Sequence, residues 1–327
     1  MNQITDTILM VRPRHFGYNP ETANNNSFQS NDTTLSTAEI SKKALGEFDN
    51  FVAKLRSAGI RIVVVQDSEQ PVKTDAVFPN NWFTTHEQGE LVTYPMFSPI
   101  RRTERQAYAV ATLESGFEIN KWVHLEDKEL EGRFLEGTGS MILDRMNRIV
   151  YACRSIRTDE GLLDEFCRWM GYEAVIFDAY DREGIPIYHT NVMMALGTTY
   201  VVICMDAIRN EEQRLILNEC FERTGKEVIA ISLEQMNSFA GNMLQVSNTD
   251  WTRSYLVMSQ QAYLSLLPEQ IDRISRHSEI LSSPLDTIET FGGGSARCMM
   301  AEVFLQPKPV EETEESNSQM QGTQDRR

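Results

Sequence analysis

The chain is poor in basic residues, in histidine and in long apolar runs, and each shortage removes a class of function. Lys and Arg number 31 against 47 Asp and Glu, for a formal charge of -16. Surfaces that hold nucleic acid or anionic lipid cluster Lys and Arg, so neither partner is expected. No stretch reaches the roughly 18 consecutive apolar residues of a membrane span. Residues 1–10 lack the basic and apolar segments of a secretion signal, so a cytoplasmic location is expected. The five cysteines are scattered, odd in number and without paired-ligand spacing, which points away from both a disulfide framework and a zinc site. No nucleotide-cradling or metal-binding motif occurs, so no cofactor or metal is expected.

What is present is enough apolar residue, 41% of 327, to bury a large core. Residues 308–327 are rich in Glu, Gln and Ser with almost nothing to bury, so a disordered acidic tail is expected after a single domain over residues 1–307. Residues 24–34 are similarly polar and are expected to form a mobile surface loop.

Self-similarity carries the architecture. Gly59, Gly116, Gly171 and Gly225 each close an amphipathic segment and precede a β-rich run, as in Gly59-Ile-Arg-Ile-Val-Val-Val. Each is expected to be a left-handed helix terminator leading into a buried strand. The first helix opens on a capping box, Ser36 to Glu39, and presents Ile40, Ala44, Phe48, Val52 and Leu55 on one face. Paired apolar runs ahead of the helices, such as Ser140 to Asp144 with Ile149 to Ala152 and Val192 to Leu196 with Tyr200 to Met205, read as hairpins. Each unit is then strand, strand, helix, strand, with a period of roughly 50 to 57 residues. Four units begin near Phe78, Phe134, Pro186 and Phe239. A fifth is split between Gly292 to Leu305 and Thr5 to Val65, so the two ends of the chain meet in one unit. Five such units imply an α/β propeller, with an ordinary doubly wound α/β fold as the competing architecture.

The residues just inside each first strand should converge on the propeller axis. They are Asn80 and Asn81, Glu136, His189 with Asn191, Asn242, and Cys298. A lone cysteine or strand histidine is more often a packing residue than a chemical one. Thiol, imidazole and carboxylate delivered by three different units instead compose a nucleophile, a general acid/base and its partner. Glu136 is the only carboxylate this reading puts in an inward slot. Three glycines before Ser295-Ala296-Arg297-Cys298 permit close backbone approach to a ligand, and Arg297 is expected to favour the thiolate.

These motifs, Phe134-Leu-Glu136-Gly-Thr-Gly139, His189-Thr-Asn191 and Gly292-Gly-Gly-Ser-Ala-Arg-Cys298, resemble the arginine deiminase and amidinotransferase superfamily, nearest to its citrulline-utilisation hydrolase branch. The resemblance implies a five-bladed pentein fold and a covalent Cys298 intermediate, with His189 as acid/base and Glu136 orienting it or holding a substrate nitrogen. Ser155-Ile-Arg157-Thr158 is similar to a segment that binds substrate carboxylate in several members. Arg101 and Arg209 fill the same repeat position, so a structural role competes for Arg157. Arg12, Arg14, Arg154 and Arg253 are further candidates for the substrate carboxylate, and Trp82 and Phe83 are pocket-wall or core residues. Deiminases of the superfamily usually carry carboxylates where this chain has Asn191 and, in our alignment, Asn80 or Asn81. Amides supply an N–H donor that suits a neutral ureido oxygen better than a cationic guanidinium. The expected substrate is therefore a small amino-acid-like ureido compound such as citrulline. Arginine or dimethylarginine deimination, amidino transfer and an inactive binding protein are the alternatives, with homo-oligomerisation left open.

Overall fold

The computed structural model describes residues 1–23, 26, 28, 29, 34–105 and 107–309. The expected tail beyond residue 309 and most of the expected loop at 24–34 lie outside these residues. Lys308, assigned from sequence to the tail, donates from its backbone to Gly116 at 2.9 Å. The ordered chain thus runs slightly past the expected boundary.

Five three-stranded sheets follow one another, each built on one plan. The middle strand pairs antiparallel with the first and parallel with the last, and helix separates middle from last. Ile142–Asp144, Ile149–Cys153 and Glu173–Phe177 make one sheet, with the helix Glu160–Met170 between its second and third strands. Met194–Leu196, Tyr200–Ile203 and Glu227–Ala230 repeat it around the helix Glu211–Arg223. Phe83–Thr85, Glu90–Thr93 and Lys121–His124 form a third such sheet, and Leu244–Ser247, Ser254–Ser259 and Glu279–Ser283 a fourth. In the fifth, Thr7–Arg12 lies between Ala301–Glu302, antiparallel, and Arg61–Gln66, parallel. The two ends of the described chain therefore share one sheet. No described helix is long and apolar enough to cross a membrane.

Local chemistry explains these elements. Ser36 and Glu39 close the expected capping box on Thr37–Ser57, whose face of Ile40, Ala44, Phe48, Phe51, Val52 and Leu55 is buried. Asp159 caps Glu160–Met170 by accepting from Leu162 N, and Leu162, Leu163, Phe166 and Cys167 are buried beneath it. Each Ile, Leu, Val or Phe among these contributes about 1.5–3 kcal/mol on burial. Gly59, Gly171 and Gly225 adopt φ of 81°, 72° and 66°, the left-handed conformation that ends a helix without a Cβ clash. Gly116 corrects the expectation. It is the last residue of the helix Ala107–Gly116 and has no positive φ, because the helix runs straight into Phe117, which bridges to Pro307.

A short helical turn introduces the first strand in three units: Pro79–Asn81, Gly137–Ser140 and Thr190–Val192. Adjacent units touch at these turns through side-chain bonds to backbone. Thr138 Oγ1 donates to Asn80 O (3.2 Å), Thr190 Oγ1 to Ser140 O (2.6 Å) and Asn242 Nδ2 to Asn191 O (2.9 Å). Such approach leaves no room for side chains: a Cβ on Gly241 would lie 2.3 Å from Val192 O. Gly241→Ala is therefore expected to destabilise the fold by about 1–3 kcal/mol through overpacking. Denaturant unfolding would measure this, and an unchanged midpoint would show that the turns tolerate separation.

Candidate active site

The turns deliver the chemical groups. Glu136 is the residue before the turn Gly137–Ser140 and has no exposed surface. His189 holds the equivalent place before Thr190–Val192. The His189 Nε2 lies 2.7 Å from Glu136 Oε2, and Arg157 Nη1 lies 3.5 Å from the same oxygen. Glu136 Oε1 accepts from Phe97 N at 2.9 Å. Burial alone would raise the Glu136 pKa. Arg157, the hydrogen bond and charge of His189, and Arg101 outweigh it and hold the carboxyl well below its usual range. An ionised carboxylate only accepts, so Nε2 carries the proton and Nδ1 is left with its lone pair. Burial pulls His189 down to about 4 against the opposing pull of Glu136, leaving the ring neutral at pH 7. A Cβ on Gly139 would sit 2.8 Å from His189 Nδ1 and 2.4 Å from Asn81 Nδ2, so this position admits only glycine.

Cys298 ends a turn in which its N donates to Ser295 O at 3.0 Å. Its Sγ accepts from Asn242 Nδ2 at 3.2 Å and from Asn191 Nδ2 at 3.4 Å. The orientation of Asn242 is dictated by Arg297 N, which donates to Asn242 Oδ1 at 3.1 Å and so turns the NH2 toward sulfur. Two amide donors are thus aimed at one sulfur. The Arg297 side chain does not take this part, contrary to expectation. Glu302, on the next strand, pairs with its Nη2 at 2.7 Å, and Met300 O accepts from its Nη1.

Cys298, His189, Asn81 and Arg157 line one narrow cleft, with Tyr188, Phe78 and Gly292 to Gly294 among its walls. Of the asparagine pair, Asn81 faces the cleft, whereas Asn80 turns to Thr138 and does not line it. Asn191 and Asn242 also do not line it; they sit at the sulfur. Arg12, Arg14, Arg154 and Arg253 form ion pairs with Asp49, Glu69, Glu160 and Glu279 and do not line it either. Trp82 and Phe83 are buried core.

Among the lining residues that the sequence did not mark as part of the site are two charged ones, Asp75 and Arg101. Glu136 is thus not the only carboxylate turned inward. Asp75 precedes the Phe78 unit, outside the repeat register, and is drawn in by Asn19, whose Nδ2 donates to Asp75 Oδ2 at 2.7 Å, and by Arg101 at 3.9 Å. Burial raises the pKa of Asp75, with Arg101 opposing. Arg101 is fully engaged: it pairs with Glu104 at 2.9 Å and donates from Nη1 to Asn81 Oδ1 at 2.9 Å. Arginine can only donate, so the contacted Asn81 atom must be oxygen. The Asn81 Nδ2 is left buried without a hydrogen-bond partner among the described residues. No described group of three or more His, Cys, Asp or Glu is close enough to hold a metal.

Three comparisons bear on this geometry. The family model described as "N,N dimethylarginine dimethylhydrolase, eukaryotic" matches residues 12–305. No protein of curated function matches the chain by sequence. Among solved structures, ArgZ, an arginine dihydrolase from the ornithine-ammonia cycle in cyanobacteria, superposes with a TM-score of 0.71 at 16% identity, covering 93% of this chain. This chain spans only 41% of that protein's length. The separate N-terminal domain of ArgZ with its product bound gives a TM-score of 0.70 at 17% identity over 91% of this chain and 97% of that one. A histidine-to-glycine variant of dimethylarginine dimethylaminohydrolase, as its adduct with S-methyl-L-thiocitrulline, gives 0.61 at 13% identity, covering 91% and 99%. At these identities the likeness establishes a shared fold.

The site carries two predictions. Imidazole NMR of the ligand-free protein should find the His189 transition near 4, below the ordinary 6.5, and Glu136→Gln, which removes the group that raises it, should lower it further. Because the folded pKa is depressed, His189 contributes stability that is lost as pH falls from 6.5 toward 4. A transition at 6.5 would contradict a dry, neutral ring. Separately, Asn242→Leu should slow alkylation of Cys298 by iodoacetamide about tenfold at pH 7, since a hydrogen bond to a charged group is worth about 1.5–3 kcal/mol; peptide mass mapping would assign the modified thiol.

Proposed function

The chain belongs to the N,N dimethylarginine dimethylhydrolase (eukaryotic) family, within the arginine deiminase and amidinotransferase superfamily, and from that premise we propose that it hydrolyses a ureido C–N bond of a citrulline-like amino acid through Cys298. The class of reaction follows from the family: a hydrolase acting on C–N bonds other than peptide bonds. We also read its five sheets as blades of one closed pentein propeller over residues 1–307. The sheet shared by Thr7–Arg12 and Ala301–Glu302 supports that reading.

The observation that carries the ureido assignment is Asn81 Nδ2, a buried donor with no partner among the described residues, on a side chain that lines the cleft and whose orientation Arg101 dictates. A ureido oxygen accepts from it, whereas a guanidinium presents only N–H groups and would leave two donors opposed. Charge supports the same choice. Glu136, Asp75 and Glu104 are set against Arg101 and Arg157, and burial, partly offset by Arg101, pushes Glu104 up to about 7, so a cation gains little net attraction.

In this mechanism the Cys298 thiol passes its proton to His189 Nδ1, and the thiolate attacks the ureido carbon. Asn81 donates to the oxygen as negative charge gathers on it. The His189 imidazolium, steadied by Glu136, protonates the departing amine, leaving an S-carbamoyl cysteine. His189 then removes a proton from water, which attacks the carbonyl and releases Cys298. The carbamic acid so formed decomposes to ammonia and carbon dioxide. Arg157, with its guanidinium over the Tyr188 ring, supplies positive charge for the substrate carboxylate.

Asp75 favours a second reading, hydrolysis of a cationic guanidino group as in the named relatives, because an inward carboxylate suits a guanidinium. Separate incubations with citrulline, arginine, agmatine and dimethylarginine, assayed for ornithine, ammonia and citrulline, discriminate the two. Ornithine and ammonia from citrulline are expected, with Cys298→Ala inactive. Release of citrulline from arginine or dimethylarginine would overturn the ureido assignment. Asn81→Asp should lower kcat/KM for citrulline at least about a hundredfold, the scale seen when one donor to a developing oxyanion is removed.

A further inference from the structure

A second cavity, of about 590 Å³, lies beside the helix Asp286–Gly292 that leads into the glycine run. Its walls carry Asp181, Glu183 and Glu289 and, among the described residues, no Lys, Arg or His. Asp181 and Glu289 are 6% and 2% exposed, while Glu183 stands on the exposed rim. Arg182, next along the chain, is paired with Glu234. The cavity is also aromatic: the Phe28 and Phe239 rings lie 5.3 Å apart, tilted by 45°. Phe239 holds a φ of 62°, a conformation that bulky residues rarely tolerate and that structures retain where a side chain must face one way.

Glu289 is the group that asks for a ligand. Its Oε1 accepts from Ser295 Oγ at 2.5 Å, but Oε2 is buried with no hydrogen-bond partner among the described residues. No described cation pairs with it. Burial pushes its pKa up to about 7; Ser259, beyond hydrogen-bond distance, and Ser295 draw it down, and Asp286 and Glu47 add to the rise. A carboxylate oxygen kept dry and unpaired is unfavourable, and a donor entering the cavity would relieve it.

We propose that this cavity is an accessory binding site for an organic cation, a primary ammonium or guanidinium carried on a short aliphatic chain. The charged head meets Glu289 Oε2 and Asp181, and the aliphatic part packs on Phe239, whose ring face adds a cation–π attraction. Aromatic walls and the lack of a described metal-ligand cluster favour an organic cation over a metal ion. Glu289 holds Ser295, and Ser295 O holds Cys298 N, so an occupant would bear on the turn that presents the cysteine.

Calorimetric titration of the full chain with putrescine and with butylguanidine, at about 0.15 M salt so that loose surface attraction is screened, tests this. Butyrate serves as the anionic control. The expected result is saturable binding of the cations and none of butyrate. Glu183→Gln, on the rim, should weaken binding about threefold. Glu289→Gln should weaken it tenfold or more, with circular dichroism melting confirming that the variant folds. Asp181→Asn, which keeps the residue's shape, should also weaken it. Absence of saturable binding would overturn the proposal. So would binding indifferent to all three substitutions, or binding lost in His189→Ala yet retained in Glu289→Gln, which would put the cation in the Cys298 cleft.

Discussion

Much of this molecule is arranged around keeping one carboxylate ionised where no water reaches it. Removing a charge from water costs several kcal/mol unless partners replace the lost hydration. Glu136 recovers that cost from His189, Arg157 and the Phe97 N–H, which arrive from three separate stretches of chain. Each partner is constrained in return. His189 is held in one tautomer, Arg157 is drawn to the floor of the cleft, and the segment before Ser98 is pinned to the neighbouring unit. The glycines at the turns follow from the same demand, because the groups can meet only if the backbones approach within contact distance.

A second principle of the site is that amide orientation is imposed by neighbours able only to donate. Arg101 does this to Asn81 and the Arg297 N–H does it to Asn242. In each case the oxygen is taken and the NH2 is presented, once to the cleft and once to sulfur. Positive electrostatic character is thereby supplied without adding net charge, which suits a reaction in which negative charge develops on sulfur and then on oxygen. The arginines are themselves bound to carboxylates, so the cleft remains near neutrality despite its many ionisable groups.

What could be read in the sequence was what repeats. The capping box, the hairpin runs and three of the four terminating glycines recur at fixed offsets, so their conformations and the five-sheet order could be inferred from spacing. Glu136 and His189 could be matched because each stands one residue before a first-strand turn. Asp75 was missed because its depth comes from Asn19 and Arg101, which no period connects to it. Arg297 was misjudged because adjacency to Cys298 in sequence says nothing of where a long side chain goes when Glu302 stands nearer. Gly116 shows the same limit: glycine permits a left-handed terminus but does not require one.

The pairing of Thr7–Arg12 with Ala301–Glu302 also has a bearing on how the chain is made. During synthesis the first of these strands can pair with Arg61–Gln66 early, but its other edge stays open until almost three hundred further residues have emerged. Contacts so distant in sequence carry a large loop-closure entropy and form late. The other four sheets draw their strands from neighbouring stretches and can assemble as they leave the ribosome. Cys298 lies in the same late segment, three residues before the strand that completes the last sheet. Cys298 therefore reaches its asparagines only when the rest of the fold is in place, and an incomplete chain exposes no assembled cleft.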